Sequence, residues 1–135
     1  YGGRDLDASF LQMACLRFLP VNDLRLQNTI NAIWKHLSRD GWLFRYRLDG
    51  GFGSPTVAFI ICTFWLIEAL GVVGRSDEAR RAMEQARSAL SPLGLLCEDY
   101  EAPNLRMWGN FPQAYSHVGL IHAAFAASPR WIDIL

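Results

Sequence analysis

The residues best suited to chemistry lie between positions 93 and 115. Glu98, Asp99 and Glu101 put three carboxylates in a short run, with the aromatic residues Tyr100, Trp108, Phe111 and Tyr115 close by in sequence. Cleavage of a glycosidic bond by acid/base catalysis needs two carboxyl groups, one protonated and one ionised. Aromatic faces pack on sugar rings, and guanidinium groups such as those of Arg45 or Arg47 can hydrogen-bond hydroxyls. The apolar turn Leu93-Gly94-Leu95-Leu96-Cys97 leads directly into Glu98 and can bury its approach. A solvated acidic loop would have the same composition, so the cluster alone leaves both readings open.

Other chemistries find less support. His36, His117 and His122 are the only histidines. His117 and His122 are five residues apart and do not share a helix face, and no Cys or carboxylate completes a ligand set at metal spacing. The glycines at 50, 51 and 53 read as turn residues, because no phosphate-cradling or dinucleotide pattern surrounds them. There is no serine nucleophile elbow. Cys97 with His117 could suggest a thiol nucleophile, but its neighbours Leu95 and Leu96 favour a buried structural thiol. No metal or other cofactor is expected.

The 135 residues make one domain, 1–135, with 51% hydrophobic and 19% charged residues, enough for a packed core. Thirteen basic residues balance thirteen acidic ones, which leaves no electrostatic footprint for nucleic acid or an anionic membrane. Three widely spaced cysteines in apolar surroundings suit reduced thiols in the cytoplasm. No signal peptide opens the chain, and its start at Tyr1 rather than Met points to a longer polypeptide.

These residues have to be positioned by helices. Phe10, Leu11, Ala14 and Phe18 predict a helix over 5–18, and Leu26, Ile30, Ile33, Trp34 and Leu37 one over 23–37, capped by Asp23. The run 57–73 is apolar nearly all round and reads as a buried helix rather than a membrane span, since Thr63 and Glu68 interrupt it. Ala79, Met83, Ala86 and Leu90 predict a helix over 77–90 with Ser76 as its cap. Pro112 suits the first turn of a last helix whose apolar face is Tyr115, Val118, Ile121, His122 and Phe125. Trp42, Phe44 and Tyr46 alternate with Arg45 and Arg47 along an extended segment, 42–48, followed by a glycine-rich turn. The stretch 93–111 is long for a helix–helix connection.

Four blocks carry a family resemblance. They are Asp5-Leu6-Asp7-Ala8-Ser9, Arg45-Tyr46, the apolar run from Phe59 to Leu66, and Leu95-Leu96-Cys97-Glu98-Asp99-Tyr100 with Gly109-Asn110-Phe111-Pro112-Gln113-Ala114-Tyr115-Ser116-His117. In this order they resemble glycoside hydrolase family 15, the glucoamylase-like enzymes that include bacterial trehalases. The resemblance spans nearly the whole chain. It implies an all-α fold, part of an (α/α)6 toroid, to which the helices read above contribute about five in antiparallel pairs, with one short extended or hairpin segment near 42–48. It further implies the C-terminal part of a catalytic domain that hydrolyses α-glucosidic bonds of an oligosaccharide or disaccharide with inversion. Glu98 matches the general base, Arg45 an arginine that binds substrate hydroxyls with Tyr46 beside it, and Tyr115 a pocket aromatic. Trp108 joins them as a substrate-binding aromatic of the same loop. Asn110, Gln113 and His117 belong to the signature as supports.

The resemblance has gaps. The general acid of such enzymes lies upstream and nothing in 1–135 matches it, so the chain alone is expected to be inactive. Thr56-Val57-Ala58-Phe59 departs from the bacterial Glu-Gly-Ala-Phe pattern, and Asp99 stands where many relatives carry Glu or Gln. A partial toroid is expected to expose apolar surface around 57–73 and so to self-associate or be covered by the rest of its own polypeptide. Two alternatives stand beside this reading: a non-catalytic helical module, suggested by the tetratricopeptide-like stretch 71–86, and a degenerate remnant. An enzyme fragment should gather Glu98, Arg45 and Tyr115 on one face, and a module should scatter them.

Overall fold

The computed structural model describes residues 5–48 and 53–129. Among these residues there are five α-helices and two small sheets. A 3₁₀ turn, Ala8–Leu11, leads into the short helix α1, Gln12–Cys15. It is shorter than the 5–18 helix predicted, and Phe10 and Phe18 stay exposed while Leu11 and Ala14 are buried. Helix α2, Leu24–Leu37, follows its prediction. Asp23 caps it by accepting a hydrogen bond from the Arg25 N–H at 2.8 Å, and Leu26, Ile30, Ile33 and Leu37 form its buried stripe.

A two-residue hairpin comes next, with β1 at Ser38–Arg39 and β2 at Trp42–Leu43. Asp40 and Gly41 turn it with φ of 52° and 80°, the left-handed pair that a tight hairpin loop requires. The expected alternation across 42–48 does not hold. Trp42, Leu43 and Phe44 are all buried, because β2 packs on the strand and helix formed by 58–72: the Trp42 ring meets Tyr100 at 4.7 Å, and the Leu43 N–H donates to Thr63 Oγ1 at 3.0 Å.

Strand β3, Ala58–Phe59, runs into α3, Ile60–Val72, the central helix. Ten of its residues, among them Ile60, Phe64, Trp65 and Leu70, are buried. It packs against α1, α2, α4 and α5, so the surface expected to lie exposed around 57–73 is the core instead. A helix apolar all round has to be enclosed on all sides, and here this chain's own helices do that. No helix among the described residues is long and apolar enough to cross a membrane.

Helix α4, Ser76–Ala86, doubles back after residues 73–75. Arg75, not Ser76, holds the cap position, and its guanidinium pairs with Glu78 at 2.7 Å, bonds Asn31 and lies over the Trp34 ring at 5.5 Å. Asp77 and Glu78 occupy the first turn, where the helix dipole favours acids.

The long connection 93–111 is not a loop throughout. It supplies β4, Asp99–Glu101, and β5, Arg106–Trp108, which with β3 form an antiparallel sheet of order β3-β4-β5. Helix α5, Ala114–Ala127, then lies along α3. Its buried side is the small-residue stripe Ser116, Gly119, Ala123 and Ala127, while Tyr115, Val118, Ile121 and Phe125 face out. The apolar face read from the sequence is therefore the outward one. Close helix approach explains the reversal. A Cβ on Gly119 would lie 2.3 Å from Ile61 Cδ1, and one on Gly71 2.5 Å from the Ala126 carbonyl oxygen.

Candidate active site

Glu98 is held by two layers of hydrogen bonds. The start of α5 fixes the segment before it. The Gln113 N–H donates to the Leu96 carbonyl at 2.8 Å, and the Ser116 hydroxyl to the Cys97 carbonyl at 2.7 Å. The Leu96 N–H donates to His117 Nε2 at 3.3 Å, which leaves Nδ1 to donate to the Gln113 carbonyl at 2.7 Å. Asn110 then holds Glu98 itself. It accepts from the Glu98 N–H at 3.0 Å and returns two bonds, from its N–H at 3.1 Å and its Nδ2 at 2.9 Å, both to Glu98 Oε2. Gly109, at φ +73°, lets this loop close on the carboxylate; a Cβ there would lie 2.8 Å from Oε2. Glu98 Oε1 has no protein partner among the described residues.

Arg45 is fixed from the other end of the chain. Its Nε donates to Asp7 Oδ1 at 2.6 Å, its carbonyl accepts from the Ala8 N–H at 2.9 Å, and its guanidinium lies over the Trp65 ring at 5.9 Å. Asp7 also accepts from the Ser9 N–H at 2.7 Å, so one carboxylate caps the first turn and orients the arginine. Burial works to raise the Asp7 pKa, but the bonds from Arg45 and Ser9 outweigh it and hold the carboxyl below its ordinary value. The same bond raises Arg45 further. Only the Nε edge of Arg45 is engaged; its two outer nitrogens have no hydrogen bond among the described residues.

Glu98 and Arg45 line one cavity of about 290 Å³ together with Tyr46, Pro55, Val57, Phe59 and Asp99. Tyr115 borders it without lining it, edge-on to Trp65 with ring centroids 6.1 Å apart and tilted against Phe59 at 6.4 Å. Trp108 stands one strand further out. Its Nε1 donates to Glu101 at 3.1 Å and Arg106 covers its ring at 4.7 Å. The sheet register sets Phe59, Asp99 and Trp108 side by side in one row. Burial, with the charge of Glu98 adding to it, pushes Asp99 up to about 6.

The structure thus brings together Glu98, Arg45 and Tyr46, with Tyr115 and Trp108 at the margin. Arg47 turns away to the Ser38 carbonyl at 3.0 Å. Of the divergent pair, Val57 lines the cavity and Thr56 does not. A larger hollow of about 540 Å³, between the ends of α3, α4 and α5, has Arg80 as its one charged lining residue and no carboxylate among the described residues. Cys97 is buried, its thiol raised by burial and donating to the Asp99 carbonyl at 2.9 Å, and burial pushes Cys15 and Cys62 up to about 12. These thiols are poor nucleophiles. No group of three or more His, Cys, Asp or Glu among the described residues is placed to hold a metal ion.

Asp7 and Trp65 are the site residues that sequence reasoning missed. Asp7-Ala8-Ser9 carries a capping signal, and nothing local shows that the same carboxylate reaches Arg45.

No family model matches the chain. It is 44% identical over 126 residues to a protein named trehalase from Mycobacterium tuberculosis, a match covering 91% of this chain and 18% of that one. It is 41% identical to a trehalase from Thermoplasma acidophilum, covering 92% and 22%. The chain thus spans about a fifth of the length of the curated relatives it matches. Among solved structures, one titled "Glycosidase Wild Type" superposes with a TM-score of 0.77 at 24% identity, over 93% of this chain and 37% of that one.

Proposed function

We propose that this chain is the base-bearing part of an inverting glycoside hydrolase of the glucoamylase and trehalase type, with trehalose as the first candidate substrate. The observation that carries it is the open Oε1 of Glu98, whose other oxygen Asn110 holds, in a cavity that Arg45 also lines with its outer nitrogens unengaged among the described residues. The similarity to trehalases supports the substrate class.

In this reaction Glu98 accepts a proton from a water as its oxygen attacks the anomeric carbon. The glycosidic C–O bond breaks, and the leaving oxygen takes a proton from an acid outside this chain. Inverting enzymes separate the two carboxyls by roughly 6.5–9.5 Å to admit that water. Arg45 donates to sugar hydroxyls, and Tyr46, Tyr115 and Trp108 offer aromatic contact. With the acid outside 1–135, residues 1–135 alone turn over no substrate. Self-association, or cover from the rest of the polypeptide, falls not to α3 but to the outward ridge of α5.

The test is proton NMR of trehalose hydrolysis by the protein carrying this chain. Inversion releases one β-glucose and one α-glucose from each trehalose at early times. Release of α-glucose alone overturns the mechanism.

A further inference from the structure

Among the described residues, Asp99 is the one carboxyl lining the cavity that the proposed mechanism leaves without a task. It sits between Phe59 and Trp108 in the sheet and lines the cavity beside Glu98 and Arg45. Its carboxyl accepts no hydrogen bond among the described residues; the bond at this residue goes to its backbone oxygen, from Cys97. The other site carboxylates are all engaged: Asp7 by Arg45 and Ser9, Glu98 by Asn110, Glu101 by Asn104 and Trp108. A half-buried carboxyl without a donor is destabilising, and the raised pKa of Asp99 reflects that. Arg45 lines the same cavity but gives its Nε edge to Asp7 and makes no ion pair with Asp99.

The geometry points to Asp99 as a substrate-binding residue: its carboxyl takes one hydroxyl of the sugar in the cavity that Arg45 also lines, while Glu98 handles the water. This assignment rests on the proposed glycosidase activity. The chemistry of the two groups is complementary. A guanidinium only donates, so it binds hydroxyl oxygens, whereas a carboxyl can accept the hydroxyl's own proton. Together they bracket a pair of neighbouring hydroxyls, as a pyranose presents, and discriminate against a sugar that lacks either. A hydroxyl-binding site of this kind rejects the deoxy analogue because its own polar group is then left unpaired.

The test compares wild type, Asp99→Ala and Asp99→Asn, in the protein carrying this chain, on trehalose and its monodeoxy analogues. Asp99→Ala is expected to lower kcat/KM for trehalose roughly ten- to hundredfold, the range for one hydrogen bond to a charged group. One monodeoxy analogue should be a similarly poor substrate for wild type and lose nothing further in Asp99→Ala. Asp99→Asn, which keeps an acceptor and adds a donor, should recover part of the loss. An equal loss on every analogue marks a structural effect and overturns the assignment, as does an Asp99→Ala protein that works like wild type. Those results leave the glycosidase activity standing, whereas a wild type that hydrolyses no α-glucoside removes both.

Discussion

Asn110 and Asp7 decide what the two main site residues can do. Each binds one edge of its partner and leaves the other edge open: Glu98 keeps Oε1, and Arg45 keeps its outer nitrogens. By residue type Glu98 and Asp99 stand out only as an acidic loop, and the resemblance, not residue type, sets Arg45 apart from Arg47; the structure puts the three on one cavity. The role of Asp7 was not legible in the sequence, since its partner is 38 residues away and only the fold closes that distance. Asp99 also has a consequence for stability. Its folded pKa, about 6, lies above the ordinary 3.8, with burial as the main cause and Glu98 second. The native state therefore holds its proton longer than the unfolded chain, and stability falls as pH rises from about 4 to about 6. Asp99→Asn removes that penalty. It is expected to raise the melting temperature at pH 7.5 and to lose the advantage below about pH 4; a variant equally stabilised at both pH values contradicts this.

At the scale of elements, helices were easier to read than strands. The stripe of α2 and the apolar run of α3 announce themselves by period and length. The hairpin at 38–43 carries an Asp-Gly signal, Asp40-Gly41, but its strands are two residues long. The β4–β5 pair carries no local strand signal, because its pairing partner is the end of a distant segment, β3. Helix α5 misled for a different reason: periodicity locates an apolar face but not which surface of the molecule it meets. What attaches α5 to α3 is small residues, and this can be tested at Gly71. Replacing a helical glycine by alanine ordinarily gains up to about 1 kcal/mol. Here the new methyl would sit 2.5 Å from the Ala126 carbonyl oxygen, a backbone atom. Overpacking of that kind costs about 1–3 kcal/mol and outweighs the gain. Gly71→Ala should lower the melting temperature by a few degrees, and a raised one would show that the α3–α5 approach is looser.

For the molecule as a whole, the central fact is an enclosed α3 beside an uncovered α5. Val118 is 49%, Ile121 53% and Phe125 74% exposed along one side of α5. A ridge of large apolar residues left in water drives association. Residues 1–135 alone are expected to sediment as dimers or larger species, and Ile121→Lys with Phe125→Lys to keep them monomeric. A monomeric wild-type chain at high concentration contradicts this. The toroidal class was readable from the resemblance, and the TM-score of 0.77 to a glycosidase structure agrees with it at the level of fold. The position of the exposed surface was not readable, because it depends on which helices this chain contributes as neighbours.

The most direct measurement is hydrolysis of trehalose and other α-linked glucose disaccharides by the protein carrying this chain, with Glu98→Gln compared with wild type. Glucose release by wild type and a fall in kcat of roughly 10²–10⁴-fold in Glu98→Gln, with KM little changed, is the predicted result. Undiminished turnover in Glu98→Gln, or no turnover of any α-glucoside by wild type, would contradict the assignment of Glu98 as the base.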